Sequence, residues 1–496
     1  MSLTFTDLFC GAGGSSLGLA TAGFDLTLAA NHWARAIDTH AANFPTAEHW
    51  CADVNQIDMR RLPRTDVLWA SPICTEISPA GGRRRRPGTR GQLELFDHGP
   101  IDPGAFDRTR ATAFDVIRAT EVHRYTAVLI ENVIEFATDW QLFDWWLAGM
   151  VQLGYHHQIV CVSSAHIGDD TNPHAPQWRD RLYIVFTRTG IPLPDLAPRP
   201  VAWCATCDTL VYAAQSWKDP RKPRIGKYRQ QYVYRCPNTT CRHTVLEPYV
   251  APAATAIDWT DIGKRIGDRT RPLAEATLRR IRAGLDTFAQ PTVVNTHHTD
   301  DRTFPAARAP LPSRTTTIGD AITCPPLLVP AGGTWNTTAV PVDQPMRTRT
   351  VRETEGVLTA PPGAFFVKNY TPRGNPAQMA KDPTTQPLGT VTGSDHHALI
   401  VPYRRGTRPA PATQPLHTLH TRDSAALIAT ADTINDCHFR MLKPREHLRA
   451  QRFPDTYTVT GNKGEQTMQA GNAVSANVAQ WLGHQLLTAL DQPGTP

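Results

Sequence analysis

The order of predicted secondary structure in the first 188 residues constrains the fold more than any other feature. Short apolar strands alternate there with helical segments, which predicts a mostly parallel sheet with helices on both faces. The predicted strands are Thr4–Phe9, Leu26–Ala30, Val67–Ala70, Ala127–Ile130, His157–Val162 and Leu182–Thr187. In such sheets ligands bind in a crevice at the carboxyl ends of the strands. We therefore expect the chemically active side chains at that edge.

A glycine-rich turn follows the first predicted strand and leads into a helix. Residues 7–14 read Asp-Leu-Phe-Cys-Gly-Ala-Gly-Gly. Glycines let the backbone approach a ligand closely, and the helix N-terminus favours polar or anionic groups. Because such a turn also fits nucleotide cofactors in general, it predicts a cofactor site without specifying the cofactor.

A thiol and a carboxyl follow two other predicted strands. Cys74 comes shortly after the strand ending at Ala70, and Glu131 directly follows the strand ending at Ile130. Covalent attack on a pyrimidine ring needs a thiolate that adds to a ring carbon and an acid at the ring nitrogen. A lone cysteine is more often simply packed in a core. The accompanying Glu131 and the glycine turn favour the catalytic interpretation.

Four of the ten cysteines form two close pairs separated by 28 residues. They are Cys204, Cys207, Cys236 and Cys241. Four thiolates at this spacing predict a zinc-ribbon-like unit around one structural zinc ion. Disulfides or free thiols are the alternative, which a reducing cytosol disfavours.

The basic residues indicate a polyanionic partner. The formal net charge is +6, with one arginine run at Arg83–Arg86 and further basic residues from Arg221 to Arg235. Such clusters suit nucleic acid, although a solvated charged face is the alternative. No apolar stretch approaches the roughly 20 residues of a membrane span, and the chain opens on a strand rather than a signal peptide. We expect a cytoplasmic protein without membrane contact.

The composition changes after Arg188 and again near residue 438. The middle region is rich in proline and threonine, and an irregular repeat between residues 306 and 430 joins turn-like segments to short apolar runs. This pattern predicts a β-rich region, with a proline-rich linker as the alternative. We therefore divide the chain into 1–188, 189–437 (zinc-ribbon candidate at 200–250) and a helical segment, 438–496, that packs back on the first part.

Taken together, the motifs resemble those of the DNA (cytosine-5) methyltransferases, in the same order, over residues 1–188 and 438–487. The motifs are the glycine turn, Ala52-Asp53-Val54, the segment around Cys74, Glu131-Asn132-Val133, Gln177-Trp178-Arg179-Asp180-Arg181, Arg445–Pro454 and Gly471-Asn472-Ala473-Val474. The resemblance implies a Rossmann-like methyltransferase fold with a β-rich target-recognition region. It also implies S-adenosylmethionine as cofactor and double-stranded DNA as partner, and we expect a monomer.

The resemblance also assigns roles to individual residues. Cys74 would be the nucleophile and Glu131 the acid at the ring nitrogen, while Arg179 and Arg181 would brace the target base and the catalytic loop. The cofactor would be held by Phe9, Gly11, Gly13, Asn31, Trp33, Asp53 and Asn472. Within that set, Asp53 matches the residue that holds the adenine amino group.

Two positions depart from the family's pattern. Ile73 separates Pro72 from Cys74, where the family has proline directly before the nucleophile. Asn31 stands where an acidic residue would bind the ribose hydroxyls. An amide hydrogen-bonds a hydroxyl more weakly than a carboxylate does, which predicts a lower cofactor affinity.

Three alternatives to DNA cytosine methylation fit parts of the sequence. An RNA cytosine-5 methyltransferase would not need the long middle region. A transferase of a modified, carboxylated donor group would need a cation where Asn472 is neutral. A DNA-binding module without catalysis would have no use for Cys74, Glu131 and Arg181. No motif identifies the DNA sequence that the protein reads. No motif shows whether it acts in a restriction–modification pair, in a phage or alone.

Overall fold

The computed structural model describes residues 2–73, 107–273 and 434–491, apart from residues 252, 259 and 262. Between residues 275 and 429 it describes residues 275 and 278 and the backbone of separate strands. Cys74 and Arg83–Arg86 lie outside the described residues, as does most of the 306–430 repeat. Among the described residues, no helix is long and apolar enough to cross a membrane.

A seven-stranded sheet forms the centre of the first part of the chain. Its strands are β1 (Thr4–Leu8), β2 (Asp25–Asn31), β3 (Glu48–Cys51), β4 (Val67–Ala70), β5 (Ala127–Asn132), β6 (Tyr155–Ser163) and, after the short β7 (Gln177–Trp178), β8 (Asp180–Arg188). The strand order is β3-β2-β1-β4-β5-β8-β6. Neighbours from β3 to β5 are parallel, and β8 is antiparallel to both β5 and β6. The predicted mostly parallel sheet is thus confirmed.

Helices cover both faces of this sheet. They are α1 (Gly14–Ala22), α2 (Ala34–Asn43), α3 (Asp107–His123), α4 (Glu135–Thr138) and α5 (Phe143–Gln152), followed near the end of the chain by Pro444–Arg449, Lys463–Asn472 and Ala476–Leu490. One face buries Phe136 and Trp146 against α3 and the sheet. The other buries Leu19 of α1 together with Leu482 of the last helix. This gives the layered architecture that alternating strands and helices predict.

The last helix lies in close contact with α1. A Cβ atom added at Gly18 would lie 2.4 Å from Cβ of Ala479 and 2.5 Å from the carbonyl oxygen of Ala476. Glycine is therefore what allows the two helix backbones to approach this closely. The contact brings the closing segment of the chain onto the helix that follows the glycine turn.

Beyond β8 the described elements are mostly strands, as expected for a β-rich region. Residues 201–246 form a hairpin, β9 (Val201–Cys204) with β10 (Thr209–Tyr212), and a three-stranded sheet of β11 (Ala214–Trp217), β12 (Tyr232–Arg235) and β13 (Val245–Leu246). The later strands are Lys264–Arg265, Thr292–Asn295, Thr303–Pro305, Asp320–Thr323, Leu327–Pro330, Gly332–Trp335, Val340–Pro341, Glu355–Thr359, Phe366–Val367, Ala380–Lys381, Leu399–Gly406, Ala410–Pro411, Leu416–His417, Ala425–Ala429 and His438–Met441. The last of them joins a nine-stranded sheet with strands from the middle region.

Candidate active site and cysteine cluster

The turn after β1 adopts a conformation that brings its backbone close to neighbouring segments. Phe9, Gly11 and Gly13 all have positive φ, with values of 64°, 54° and 87°. The left-handed conformation of Phe9 ends the strand one residue earlier than the sequence predicts. A Cβ atom added at Gly13 would lie 2.5 Å from the hydroxyl of Tyr457. Side chains from the closing segment and from α2 therefore pack directly against the turn, and glycine at position 13 leaves room for them.

A buried carboxyl group fixes the base of this turn. Asp7 accepts hydrogen bonds of 2.6 Å from the hydroxyls of Ser15 and Ser16 at the start of α1. Burial raises the pKa of Asp7 to about 7, and the two serine hydrogen bonds partly oppose that rise. Ser16 also contacts Nε2 of His40 at 3.0 Å. Burial, with a smaller contribution from His49, lowers the pKa of His40 to about 3 and keeps it neutral.

The other proposed cofactor residues lie at the ends of adjacent strands. Phe9 follows β1, Asn31 ends β2 and Asp53 follows β3. The side-chain oxygen of Asn31 accepts a hydrogen bond of 2.9 Å from the backbone N–H of Trp33. Asp53 is exposed and caps a short helical turn by accepting 3.2 Å hydrogen bonds from the backbone and side chain of Asn55. These side chains thus lie along one edge of the sheet, beside the glycine turn.

Glu131 forms a buried ion pair with Arg181. The distance from Nε of Arg181 to Oε1 of Glu131 is 3.0 Å, and both side chains are 11% exposed. The pair forms because β5 and β8 run antiparallel, with Asn132 opposite Leu182. The structure therefore joins two residues that are 50 positions apart in the sequence.

The segment leading to Cys74 is held beside this ion pair. The side chain of Asn132 donates a 3.0 Å hydrogen bond to the carbonyl of Pro72, and the N–H of Ile73 donates to Oγ1 of Thr112 at 3.1 Å. Successive Cα atoms are about 3.8 Å apart, so the backbone of Cys74 starts one residue beyond this anchor. The anchor holds Pro72 and Ile73, the residues directly before Cys74, against Asn132 and Thr112.

Arg179 has a different set of contacts from Arg181. It is buried and donates hydrogen bonds to the carbonyl oxygens of Gly471, at 3.3 Å, and Ala473, at 2.7 Å. The carbonyl oxygen of Asn472, between them, would lie 3.9 Å from a Cβ atom added at Gly11. Arg179 therefore connects the β7–β8 segment to the closing motif beside the glycine turn.

The four paired cysteines come together in space. Their Sγ atoms all lie within 4.8 Å of one another, and those of Cys207 and Cys236 are 4.0 Å apart. None of the four is in a disulfide. Cys204 ends β9 and Cys236 follows β12, so two separate sheets supply the ligand atoms. The cluster has the four soft ligands of a tetrahedral metal site.

Sequence reasoning did not assign roles to three residues of this edge. Asp7 and His40 stabilise the glycine turn, and the hydroxyl of Tyr457 donates a 2.6 Å hydrogen bond to the carbonyl of Ala12. Asp7 belongs to the glycine-turn motif, residues 7–14, and its role could have been predicted from that position. Tyr457 lies 445 residues from Ala12, and no local pattern predicts that contact.

A mostly parallel sheet, a glycine turn after its first strand and a buried acid beside an anchored cysteine segment define a Rossmann-like methyltransferase. The sequence model of the family described as C-5 cytosine-specific DNA methylase matches residues 3–98 and 102–488. The chain belongs to this family, which confirms the resemblance of its motifs. Family membership implies S-adenosylmethionine as methyl donor.

Individual relatives match shorter stretches. Type II methyltransferase M.HgiGI of Herpetosiphon aurantiacus is 38% identical over 80 residues, covering 16% of this chain and 64% of the relative. Type II methyltransferase M.HhaI of Haemophilus parahaemolyticus is 25% identical over 202 residues, covering 40% of this chain and 53% of the relative. The chain spans between 23% and 64% of the length of the first curated relatives it matches.

A solved structure of a putative DNA modification methyltransferase encoded within a prophage (E. coli) is also similar. It shares 15% sequence identity, with 99% of this chain and 100% of that chain covered and a TM-score of 0.42.

Proposed function

We propose that the protein transfers a methyl group from S-adenosylmethionine to C5 of cytosine in double-stranded DNA. The observation that carries this proposal is the buried Glu131–Arg181 pair, with the segment before Cys74 anchored to the neighbouring Asn132. A nucleophile four residues after β4 and an acid in the adjacent strand β5 can act on the same ring. Family membership supports the same reaction.

The cofactor fits the residues at the carboxyl edge of the sheet. The left-handed conformation of Gly11 and Gly13 keeps the turn tight, and the nearest described atom to a Cβ added at Gly11 is 3.9 Å away, which suits close approach of a ligand to that backbone. Phe9 and Trp33 offer half-buried rings for the adenine, and Asp53 and Asn31 offer hydrogen-bond groups for its amino group and the ribose. The backbone at Asn472 closes the site from the other side. When bound, the cofactor supplies an electrophilic methyl group.

The chain's own residues would prepare the cytosine to accept that group. A cytosine in a duplex has to be flipped out of the stack, at a cost of a few kcal/mol. The thiolate of Cys74 then forms a bond to C6 while Glu131 holds a proton at N3, which makes C5 nucleophilic. After C5 has gained the methyl group it loses its proton, and the bond between sulfur and C6 breaks. The Nε–H of Arg181 fixes the orientation of the Glu131 carboxyl throughout.

The proposed activity can be tested in cells that lack cytosine-5 methylation. Expression of the protein should leave cytosines in one short DNA sequence resistant to bisulfite conversion. Cells expressing the Cys74→Ser variant provide the matched control. Resistant cytosines in RNA but not in DNA would instead support the RNA methyltransferase alternative, and none in either would contradict both.

The cysteine cluster supports a further part of this proposal, one structural zinc ion. Zinc–sulfur bonds of about 2.3 Å at tetrahedral angles separate neighbouring sulfur atoms by about 3.8 Å. The 4.0 Å between Cys207 and Cys236 is close to that value. Cys204, Cys236 and Cys241 are buried and Cys207 is half-buried, which protects thiolates from solvent and suits a structural rather than a catalytic site.

We expect purified protein to contain about one zinc ion per chain. The double variant Cys204→Ser/Cys236→Ser should lose it, because two ligands cannot hold the ion. Metal analysis by mass spectrometry measures both values. Cys51→Ser is the matched control, since Cys51 is exposed and lies outside the cluster. Zinc-free wild-type protein purified under reducing conditions would overturn the assignment.

The target-recognition role of residues 189–437 also belongs to this proposal, together with the division into 1–188, 189–437 and 438–496. Its support is the basic and β-rich character of the middle region. Two arginines of the basic stretch from Arg221 to Arg235 already have partners within the protein. Arg229 pairs with Glu247 at 2.6 Å, and Arg235 donates to the carbonyl of His243 at 3.0 Å. Arg229 is exposed and Arg235 is half-buried, and we propose both as phosphate contacts.

A further inference from the structure

The cysteine-containing unit, residues 201–249, packs directly against the candidate active site. A loop of this unit, residues 225–231, provides the contacts and is called the docking loop below. Nζ of Lys227 in this loop lies 2.7 Å from Oε1 of Glu135. Glu135 begins α4, four residues after Glu131, and its side chain is only 4% exposed, against 30% for Lys227. The ion pair therefore joins the docking loop to the segment that carries the proposed acid.

A second contact joins the same loop to the strand that carries Arg181. The backbone N–H of Tyr228 donates a 3.1 Å hydrogen bond to Oδ1 of Asp180. Asp180 lies directly between Arg179 and Arg181 at the start of β8. Burial raises the pKa of Asp180 to about 6, while the Tyr228 hydrogen bond and the charges of Lys227 and Arg181 oppose that rise. One loop thus contacts the neighbours of both members of the Glu131–Arg181 pair.

Aromatic packing holds the docking loop in place. The ring of Tyr228 stacks on Trp178 of β7, with centroids 5.6 Å apart and planes inclined by 20°. His166 follows β6 of the seven-stranded sheet and contacts the cysteine-containing unit. Its ring centroid lies 4.3 Å from that of Tyr228 and 4.9 Å from that of Tyr234. Gln215 adds a 2.8 Å hydrogen bond to the carbonyl of Cys161. The interface is therefore held mainly by aromatic packing, since the ring nitrogens of the buried His166 make no hydrogen bond to the described residues.

The docking loop is also closely connected to the cysteine cluster. The backbone N–H of Lys227 donates to Oε1 of Gln231 at 2.8 Å, and that of Arg229 donates to the carbonyl of Tyr232 at 2.8 Å. β12 then runs from Tyr232 to Arg235 and leads directly into Cys236. The short buried strand therefore links the position of the cluster to the position of Lys227.

We propose that the docking loop positions the Glu131–Arg181 pair for methyl transfer, with Lys227 and Asp180 as positioning residues. The proposal rests on the proposed function. Its physical basis is that removing the charge of one partner from a buried ion pair, here Lys227 beside the buried Glu135 carboxylate, is destabilising. Movement of α4 to relieve that cost would shift Glu131 and the Asn132 contact to Pro72. A misplacement of about 1 Å at reacting groups is enough to cost up to about 10²-fold in rate.

Three lysine variants test the proposal. Lys227→Met removes the charge and keeps most of the apolar stem, and Lys227→Arg keeps the charge. Lys222→Met is the matched control, because Lys222 belongs to the same unit but pairs with Asp219 at 3.6 Å, away from the active site. For each variant, kcat and KM are measured with duplex DNA and S-adenosylmethionine. Exchange of backbone amide hydrogens in residues 127–138 and 177–188 is measured in parallel by mass spectrometry.

We expect Lys227→Met to lower kcat about tenfold while KM for DNA changes less than about twofold. Lys227→Arg should retain at least about half of kcat, and Lys222→Met should keep the wild-type kcat, with any effect of its lost charge on DNA binding confined to KM. Amide exchange in both segments should be faster in Lys227→Met than in Lys222→Met, which a mere phosphate contact would not produce. An unchanged kcat, or a rise in KM alone, would overturn the proposal.

The exchange measurement separates this proposal from the proposed function. If the wild type transferred no methyl group, the proposed function would fail. Even in that case, equal amide exchange in Lys227→Met and Lys222→Met would overturn the positioning role of the docking loop, because amide exchange can be measured without enzymatic activity.

Discussion

Replacement of Cys74 by serine should reduce methyl transfer by at least about 10³-fold, because a serine hydroxyl is a far weaker nucleophile than a thiolate at neutral pH. The proposed cofactor groups belong to the glycine turn, the ends of β2 and β3 and the backbone at Asn472, and Cys74 is not one of them, so cofactor affinity should stay unchanged. Transfer of labelled methyl groups to duplex DNA measures the first quantity, and calorimetry with S-adenosylmethionine measures the second.

Cys51→Ser is the control for the loss of a thiol as such. Cys51 ends β3 and is exposed, and its Sγ atom lies 3.9 Å from the carbonyl of His32. We expect this variant to keep wild-type activity. If Cys74→Ser retained more than about one tenth of the wild-type rate, Cys74 would not be the nucleophile.

Replacement of Glu131 by glutamine should lower kcat by about 10² to 10⁴-fold. An amide of the same shape still accepts the hydrogen bond from Arg181, but it cannot supply or hold a proton at the ring nitrogen. Because the shape is preserved, the affinity for DNA and for the cofactor should change little. Single-turnover methylation with excess enzyme isolates the chemical step.

Glu121→Gln serves as the matched control for this change. Glu121 is an exposed residue of α3 and lies away from the carboxyl edge of β5. A Glu131→Gln variant as active as Glu121→Gln would show that Glu131 does not act on the ring. A lower kcat with little change in DNA affinity would agree with the proposed role, since the step after binding would then be the one lost.

The sequence predicts the central sheet well because its strands are short, apolar and separated by helical periodicity. The strand β3, Glu48–Cys51, was not predicted, since its residues are polar or half-exposed at the edge of the sheet. The observed strand order is usual for parallel α/β sheets, in which the direction of strand addition reverses once. This order can be predicted only after every strand has been identified. The antiparallel direction of β8 is set by its hairpin-like pairing with β6 and has no separate signal in the sequence.

Some features of the candidate site could be predicted from the sequence, and others could not. The glycine turn and the four cysteines were identified from spacing within short segments. The contact between Lys227 and Glu135 joins residues 92 positions apart, and that between Tyr228 and Asp180 joins residues 48 apart. Local periodicity carries no information on such pairs, because they depend on how two separately folded units pack. The sequence therefore suggested a cysteine unit for DNA recognition, whereas its packing indicates an additional role beside the active site.

The covalent step at the centre of this account can be observed directly with DNA that contains 5-fluorocytosine at the target position. Fluorine at C5 cannot leave as a proton, so the bond between the enzyme and C6 should persist after methyl transfer. Protease digestion and mass spectrometry then identify the linked residue. Cys10 is buried and its thiol pKa is raised well above the usual value, mainly by burial, so it is not expected to compete.

We expect one adduct, on the peptide that contains Cys74, formed only when S-adenosylmethionine is present and absent from the Cys74→Ser variant. An adduct on another cysteine, or no adduct under conditions where unmodified DNA is methylated, would contradict the proposed mechanism.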